Sequence, residues 1–353
     1  MDYCQDIVGV IEDYRYKDRR NNVLKVNIDK NHVEKWVSQF DEHHEIILEE
    51  TLSLLRSFYF SKKDIGEYLN GTFSNKKIWG EDIEKNISNT VFLDFQEKGE
   101  SQHRLYKKAQ KEIFSLYNFD IGKNRCNYDM NSYLYLDDCM FSGVTLTRDL
   151  SRLIDEVPHG SKIDIVFIIV HSFADWWVKK NLEEKIKEKN IELNIWKYKT
   201  ISNSGGKNKK YDCLWPKFYE SENVEEYIER MKEESENNPK KKVRQFRTDD
   251  YSGEIYLSEK NREILEKQLM EAGLRIINFC DNTNQYMRPM GFDNRISFGF
   301  GAFFATYLNM SNNCPLAYWW GDASADEYHP FSKWYPLLPR KSNKNGGDGF
   351  EWL

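Results

Sequence analysis

The sequence lacks a surplus of positive charge: 51 Lys and Arg stand against 57 Asp and Glu, a net charge of −6 at pH 7. That balance gives no global electrostatic grip on nucleic acid and leaves room only for a local basic patch. A long apolar run is also missing. The longest, Ile165 to Val170, is strand-sized, far short of the roughly 20 residues that span a bilayer. The first residues, Met1-Asp2-Tyr3-Cys4-Gln5-Asp6, carry neither the basic nor the apolar stretch of a secretory leader. The six cysteines (Cys4, Cys126, Cys139, Cys213, Cys280, Cys314) are scattered, with no C-x-x-C or metal-type spacing. Free thiols in a reducing cytoplasm are therefore expected, and no protein-held metal. No Gly-x-x-x-x-Gly-Lys run is present, which argues against a P-loop ATPase. Internal repeats are absent too.

What is present is core-forming material: 40% apolar and 15% aromatic residues over 353 positions. That is enough for one large domain with additions, or for two. Residues 1–87 read as helical. Val33, Trp36, Val37 and Phe40 recur at helical spacing, as do Leu48, Leu52, Leu55 and Tyr59. Asn70-Gly71 is expected to close this region.

From residue 88 to 200 the pattern alternates. Val91 to Phe95, Tyr133 to Leu136, Ile163 to Val170 and Ile191 to Ile195 read as strands. Helical stretches through Leu105–Leu116, Leu146–Ile154 and Val178–Ile186 lie between them. Such alternation predicts βαβ units and a parallel sheet. Residues 201–353 begin with a Gly-, Ser- and Lys-rich linker and a charged stretch. A helix is expected from Arg262 to Ala272, ending at Gly273. Strands are expected to return at Leu274–Phe279 and Phe298–Tyr307.

The most informative segment runs from Leu134 to Leu146. An apolar strand delivers Asp137 and Asp138 to its carboxyl end, and a short turn with Ser142, Gly143 and Thr145 leads straight into a helix. Ligands of open α/β sheets bind at that end of the strands, and a helix start offers free amides and a positive dipole end to an anion. Gly143 allows close backbone approach. Carboxylates beside a phosphate make sense if they face sugar hydroxyls or a magnesium ion. The bland alternative is a strand that ends in two acids before a capped helix. A phosphatase-type Asp-x-Asp motif is not supplied by either strand.

This segment resembles the 5-phosphoribosyl 1-diphosphate (PRPP) loop of type I phosphoribosyltransferases, in which two acids precede a Thr- and Gly-rich turn. The resemblance implies that Asp137 and Asp138 contact the ribose hydroxyls. It also implies that Phe141, Ser142, Gly143, Val144 and Thr145 wrap the 5′-phosphate, with Mg2+ accompanying the ligand. Phe141 stands where the family has a small residue, and Ser142 where it has Thr. In the same family a second loop holds pyrophosphate; here Lys98, Gly99 and Ser101 occupy that place. The same residues read equally well as a plain helix start capped by Ser101.

In the carboxyl-terminal part, Asn309, Asn312, Asn313, Trp319 and Trp320 form a dense Asn and Trp constellation after Ser297-Phe298-Gly299-Phe300-Gly301. It suits a base pocket and, on the residues alone, suits an aromatic core under a turn better. In their order, these motifs resemble the divergent phosphoribosyltransferase-like proteins of bacterial conflict systems, including retron-associated ones. That resemblance implies antiphage defence and ATPase or nuclease partners.

The combined expectation is an α/β protein. It has a Rossmann-like parallel sheet of the type I phosphoribosyltransferase kind, a helical amino-terminal region and a carboxyl-terminal α+β cover. It is cytoplasmic, and an oligomer is compatible with the sequence. It binds PRPP or a related ribose-5-phosphate or nucleotide, as a transferase, a nucleotide hydrolase or a non-catalytic sensing subunit.

Overall fold

In the computed structural model, residues 2–95, 101–124, 130–204, 210–241, 243–250, 254–280 and 284–341 are described. The chain divides into two compact units. One holds residues 63–202, the other residues 1–62 together with 203–353. The first division falls at 62/63, and the change from helical spacing to strand–helix alternation at residue 88 lies within residues 63–202.

The chain opens with helices α1 (Tyr3–Ile11), α2 (Tyr16–Arg20), α3 (Lys30–Val37) and α4 (His44–Phe58), then strand β1 (Tyr59–Phe60). Val33, Trp36 and Val37 of α3 and Leu52 and Leu55 of α4 are buried, as their spacing requires. Helices α5 (Lys62–Phe73), α6 (Lys76–Trp79) and α7 (Ile83–Ser88) follow. Asn70-Gly71 does not close the helical region but lies inside α5. The buried stripe of Ile65, Leu69 and Phe73 outweighs the ~1 kcal/mol that an interior glycine costs.

The sheet unit then alternates as the sequence predicts: β2 (Val91–Leu93), α8 (Ser101–Tyr117), β3 (Ser132–Met140), α9 (Val144–Glu156), β4 (Lys162–His171), α10 (Ser172–Glu188) and β5 (Glu192–Ile201). The four strands are parallel in the order β2-β3-β4-β5. Tyr133, Tyr135, Ile163, Ile165 and Phe167 pack with Leu146, Leu150 and Leu153 of α9 and with Ala174 and Val178 of α10 in one buried cluster. On β2, Phe92 stacks on Trp79 and tilts against Phe73, each at 6.2 Å between ring centroids. The sheet is therefore apolar on both faces, which is why its strands read as near-continuous hydrophobic runs. β3 is longer than Tyr133–Leu136. Its register with β4 continues through Asp137↔Phe167, Cys139↔Ile169 and Met140↔Val170.

The remaining elements are β6 (Asn203–Ser204), β7 (Lys210–Tyr211), α11 (Glu222–Asn237), α12 (Glu259–Asn278), β8 (Ala305–Thr306), β9 (Asn309–Met310) and α13 (Leu316–Trp319). Two expectations fail here. Leu274 to Asn278 is helix, because α12 runs straight through Gly273. That glycine is a contact point and not a terminator: a Cβ there would lie 2.5 Å from the Pro289 carbonyl oxygen. Residues 298–304 form no strand. Gly299 and Gly301 adopt φ of 130° and 73°, which breaks a pleated ladder.

Arg262 and Glu266, one turn apart on α12, are fully buried and bonded at 2.8 Å. Glu266 also takes Arg247 at 3.0 Å and the Trp215 amide at 2.8 Å. Arg262 donates onward to the Tyr211 and Cys213 carbonyls. This buried network ties residues 211–217 to the helix. The described cysteines, Cys4, Cys139, Cys213, Cys280 and Cys314, are free thiols. Among the described residues, no helix is long and apolar enough to cross a membrane.

Candidate functional site

The site is built on the carboxyl end of β3 and the start of α9. Asp137 and Asp138 lie inside the strand, so its alternation turns them to opposite faces. Asp137 is 6% exposed. Its Oδ1 accepts the Ser101 hydroxyl at 2.9 Å and the Asp138 amide at 2.8 Å. Asp138 is half-buried. Loss of water raises its carboxyl above the ordinary carboxylate range, against the opposing pull of hydrogen bonds from the Cys139 thiol and amide.

Three residues make the turn. Phe141 is buried, Ser142 is half-buried, and Gly143 holds the left-handed conformation at φ 75°. Gly143 is needed for a second reason: a Cβ there would sit 3.0 Å from Val178 Cγ2 and 3.2 Å from the Ala174 carbonyl oxygen of α10. No side chain caps α9. The Thr147 amide and hydroxyl both donate to the Gly143 carbonyl, at 2.9 and 2.8 Å, and the Ser142 hydroxyl is a distant 3.4 Å from the Val144 amide. Val144 and Thr145 are exposed. The first turn of α9 therefore begins at the carboxyl end of β3 without an N-cap side-chain bond and with Val144 and Thr145 exposed, the kind of helix start that suits a phosphate.

Of the residues expected to hold pyrophosphate, Lys98 and Gly99 fall outside the described residues. Ser101 begins α8 and is brought directly onto Asp137, a link the spacing did not foretell. Nearby, His103 Nδ1 lies 3.0 Å from the buried Asp94 carboxylate. His171, at the end of β4, is buried, and its Nδ1 accepts the Phe173 amide at 3.2 Å, which caps α10.

The Asn and Trp constellation belongs to the other compact unit. Asn309 exchanges two bonds with the Lys341 backbone, at 3.1 and 2.9 Å. Asn313 Nδ2 donates to the Phe292 carbonyl at 2.8 Å, and the Asn312 carbonyl accepts the Phe292 amide at 2.9 Å. Trp319 Nε1 donates to the Cys314 carbonyl at 2.8 Å, and Trp320 is fully buried. The Asn309 and Asn313 side chains thus bond to backbone within their own unit, and Trp320 lies in its core.

A feature missed in the sequence is the pair of exposed rings, Phe173 and Trp176, with half-buried Trp177 beside them at the start of α10. Only its helical core positions carried a periodic signal. Compared with known proteins, residues 33–340 match the family model PRTase-CE. No curated protein matches the chain.

Proposed function

The chain belongs to the PRTase-CE family, a phosphoribosyltransferase-type family, and on that premise we propose that the β3–α9 edge binds PRPP or a related ribose-5-phosphate ligand. The observation that carries this reading is the uncapped start of α9 directly beyond the two acids of β3. The 5′-phosphate accepts from the amides of the first turn and from the Thr145 and Ser142 hydroxyls. Asp138, the more accessible acid, faces the ribose hydroxyls. Asp137, fixed by Ser101, orients the strand end and adds negative charge where the ribose ring becomes cationic. The site thus works by positioning and by electrostatics rather than by covalent chemistry.

Two carboxylates do not make a closed metal cage, and this fits an ion that travels with the ligand's phosphates. Bound in that way, Mg2+ would neutralise the leaving diphosphate. The acidic trio of Asp250, Glu259 and Glu263 is no substitute, since the Lys217 ammonium fills it. The order of motifs further supports a role in antiphage defence beside ATPase or nuclease partners.

The test is binding and turnover of PRPP with Mg2+. Wild-type protein should bind it, and Asp137→Asn with Asp138→Asn should weaken binding about 100-fold or more with the fold intact. Turnover with an acceptor marks a transferase, base release without one a hydrolase, and binding without turnover a sensing subunit. Unchanged binding in the double variant would falsify the site. For the defence role, the same variant should lose protection in a phage-plating assay with the native operon.

A further inference from the structure

Three aromatic side chains at the start of α10 are unusually open. Phe173 is 44% and Trp176 56% exposed, and Trp177 is half-buried. They contact one another: Phe173 stacks on Trp177 at 5.9 Å with 28° between the planes, and Trp176 braces Phe173 at 5.7 Å. Exposed rings clustered in this way mark a binding surface more often than chance.

Their placement identifies what they meet. Asp175 pairs with Lys197 of β5, so that flank of α10 faces β5. Phe173 and Trp177 lie two residues to either side of Asp175, which turns them roughly 160° away on a helix of 3.6 residues per turn. Ala174 and Val178 are the residues that a Cβ on Gly143, the N-cap of α9, would meet; Trp177 lies about 60° from Ala174 around the helix, which brings it beside the start of α9 with Phe173 stacked on it. Both helices begin at the carboxyl ends of neighbouring strands, β3 and β4, and Val144, the first residue of α9, is 47% exposed.

We propose that Phe173 and Trp177 form a nucleobase platform, and that the ligand is a dinucleotide whose second nucleoside is joined through the 5′-phosphate held at α9. This rests on the ribose-5-phosphate reading above and names its ligand class. With ribose at the acids and the 5′-phosphate at the first turn, only a group attached beyond that phosphate reaches α10. A base suits the rings, because stacking accepts any π-face. A nucleic-acid strand does not suit the surroundings. The lysines of α10 are already paired, Lys179 with Asp175 at 2.9 Å, and Lys180 and Lys187 with Glu183 at 3.4 and 2.7 Å.

The experiment compares ribose 5-phosphate with ADP-ribose, by calorimetry and by tryptophan fluorescence on the full chain. ADP-ribose should bind about 10- to 100-fold more tightly and quench the emission. Phe173→Ala and Trp177→Ala should erase that advantage while leaving ribose 5-phosphate affinity within about twofold, and Trp177→Phe should restore it. If Trp177→Ala does not fold, Phe173→Ala, at an exposed position, decides alone. Equal affinity for the two ligands in wild type, or an advantage that survives both variants, overturns the platform and leaves the parent reading standing. Wild-type protein that binds PRPP but neither of these ligands overturns the platform alone, and one that binds none of the three overturns both.

Discussion

At the scale of the residue, burial sets the chemistry. Asp137 and Asp138 are neighbours in sequence, yet the pleat gives them different surroundings. One is sealed against Ser101, and the other is half-open with its carboxyl held upward by lost hydration. Glu50 is a sharper case. It is fully buried on α4, accepts the Leu257 amide at 3.1 Å, and its carboxyl is raised to about 7 by burial. Because the folded value lies above the unfolded 4.5, the folded state keeps a proton that the unfolded chain loses between pH 4.5 and 7. Stability should therefore fall as pH rises through that window, by about 3 kcal/mol in all. Glu50→Gln should abolish that slope in urea titrations across pH 4–8. An identical slope in the variant would assign it to another group. Nothing along the chain marks this, since Glu50 stands in the polar run Glu49-Glu50-Thr51 and only packing decides which side is covered.

At the scale of the element, Gly143 and the α12 network separate local rules from tertiary ones. Gly143→Ala meets both a left-handed φ and the Ala174 and Val178 contacts, whereas Gly160→Ala meets φ 79° in open space. The second should cost roughly 1–2 kcal/mol. The first should cost more, and the difference in thermal unfolding measures how tightly α9 and α10 begin together. Equal losses would mean that α10 yields freely. On α12, Glu266→Gln leaves Arg247 and Arg262 buried around a neutral group and should destabilise the fold by roughly 3–5 kcal/mol. A loss below about 1 kcal/mol in denaturant melts would show that the network is not needed. The helix itself was legible from Arg262 to Ala272. Its extension through Gly273 was not, because a glycine that ends a helix and a glycine pressed against Pro289 look alike in sequence.

At the scale of the whole molecule, a ligand that binds only the folded state should raise stability by about 2.7 kcal/mol at 100 times its dissociation constant. Ribose 5-phosphate should produce that shift in wild type and not in the Asp137→Asn, Asp138→Asn protein; a shift in both would move the ligand elsewhere. The alternation of β2 to β5 with α8 to α10, and the strand–turn–helix at residues 133–156, were determined by the sequence alone. A strand buried on both faces must be apolar throughout, and a helix start must expose amides, whatever surrounds them. The tertiary structure alone decided three other matters: that Ser101 reaches Asp137, that the Asn309 and Asn313 side chains bond to backbone within their own unit, and that Phe173 and Trp176 stand exposed at the start of α10. Each depends on which elements lie next to one another in space, and periodicity along a chain carries no record of that.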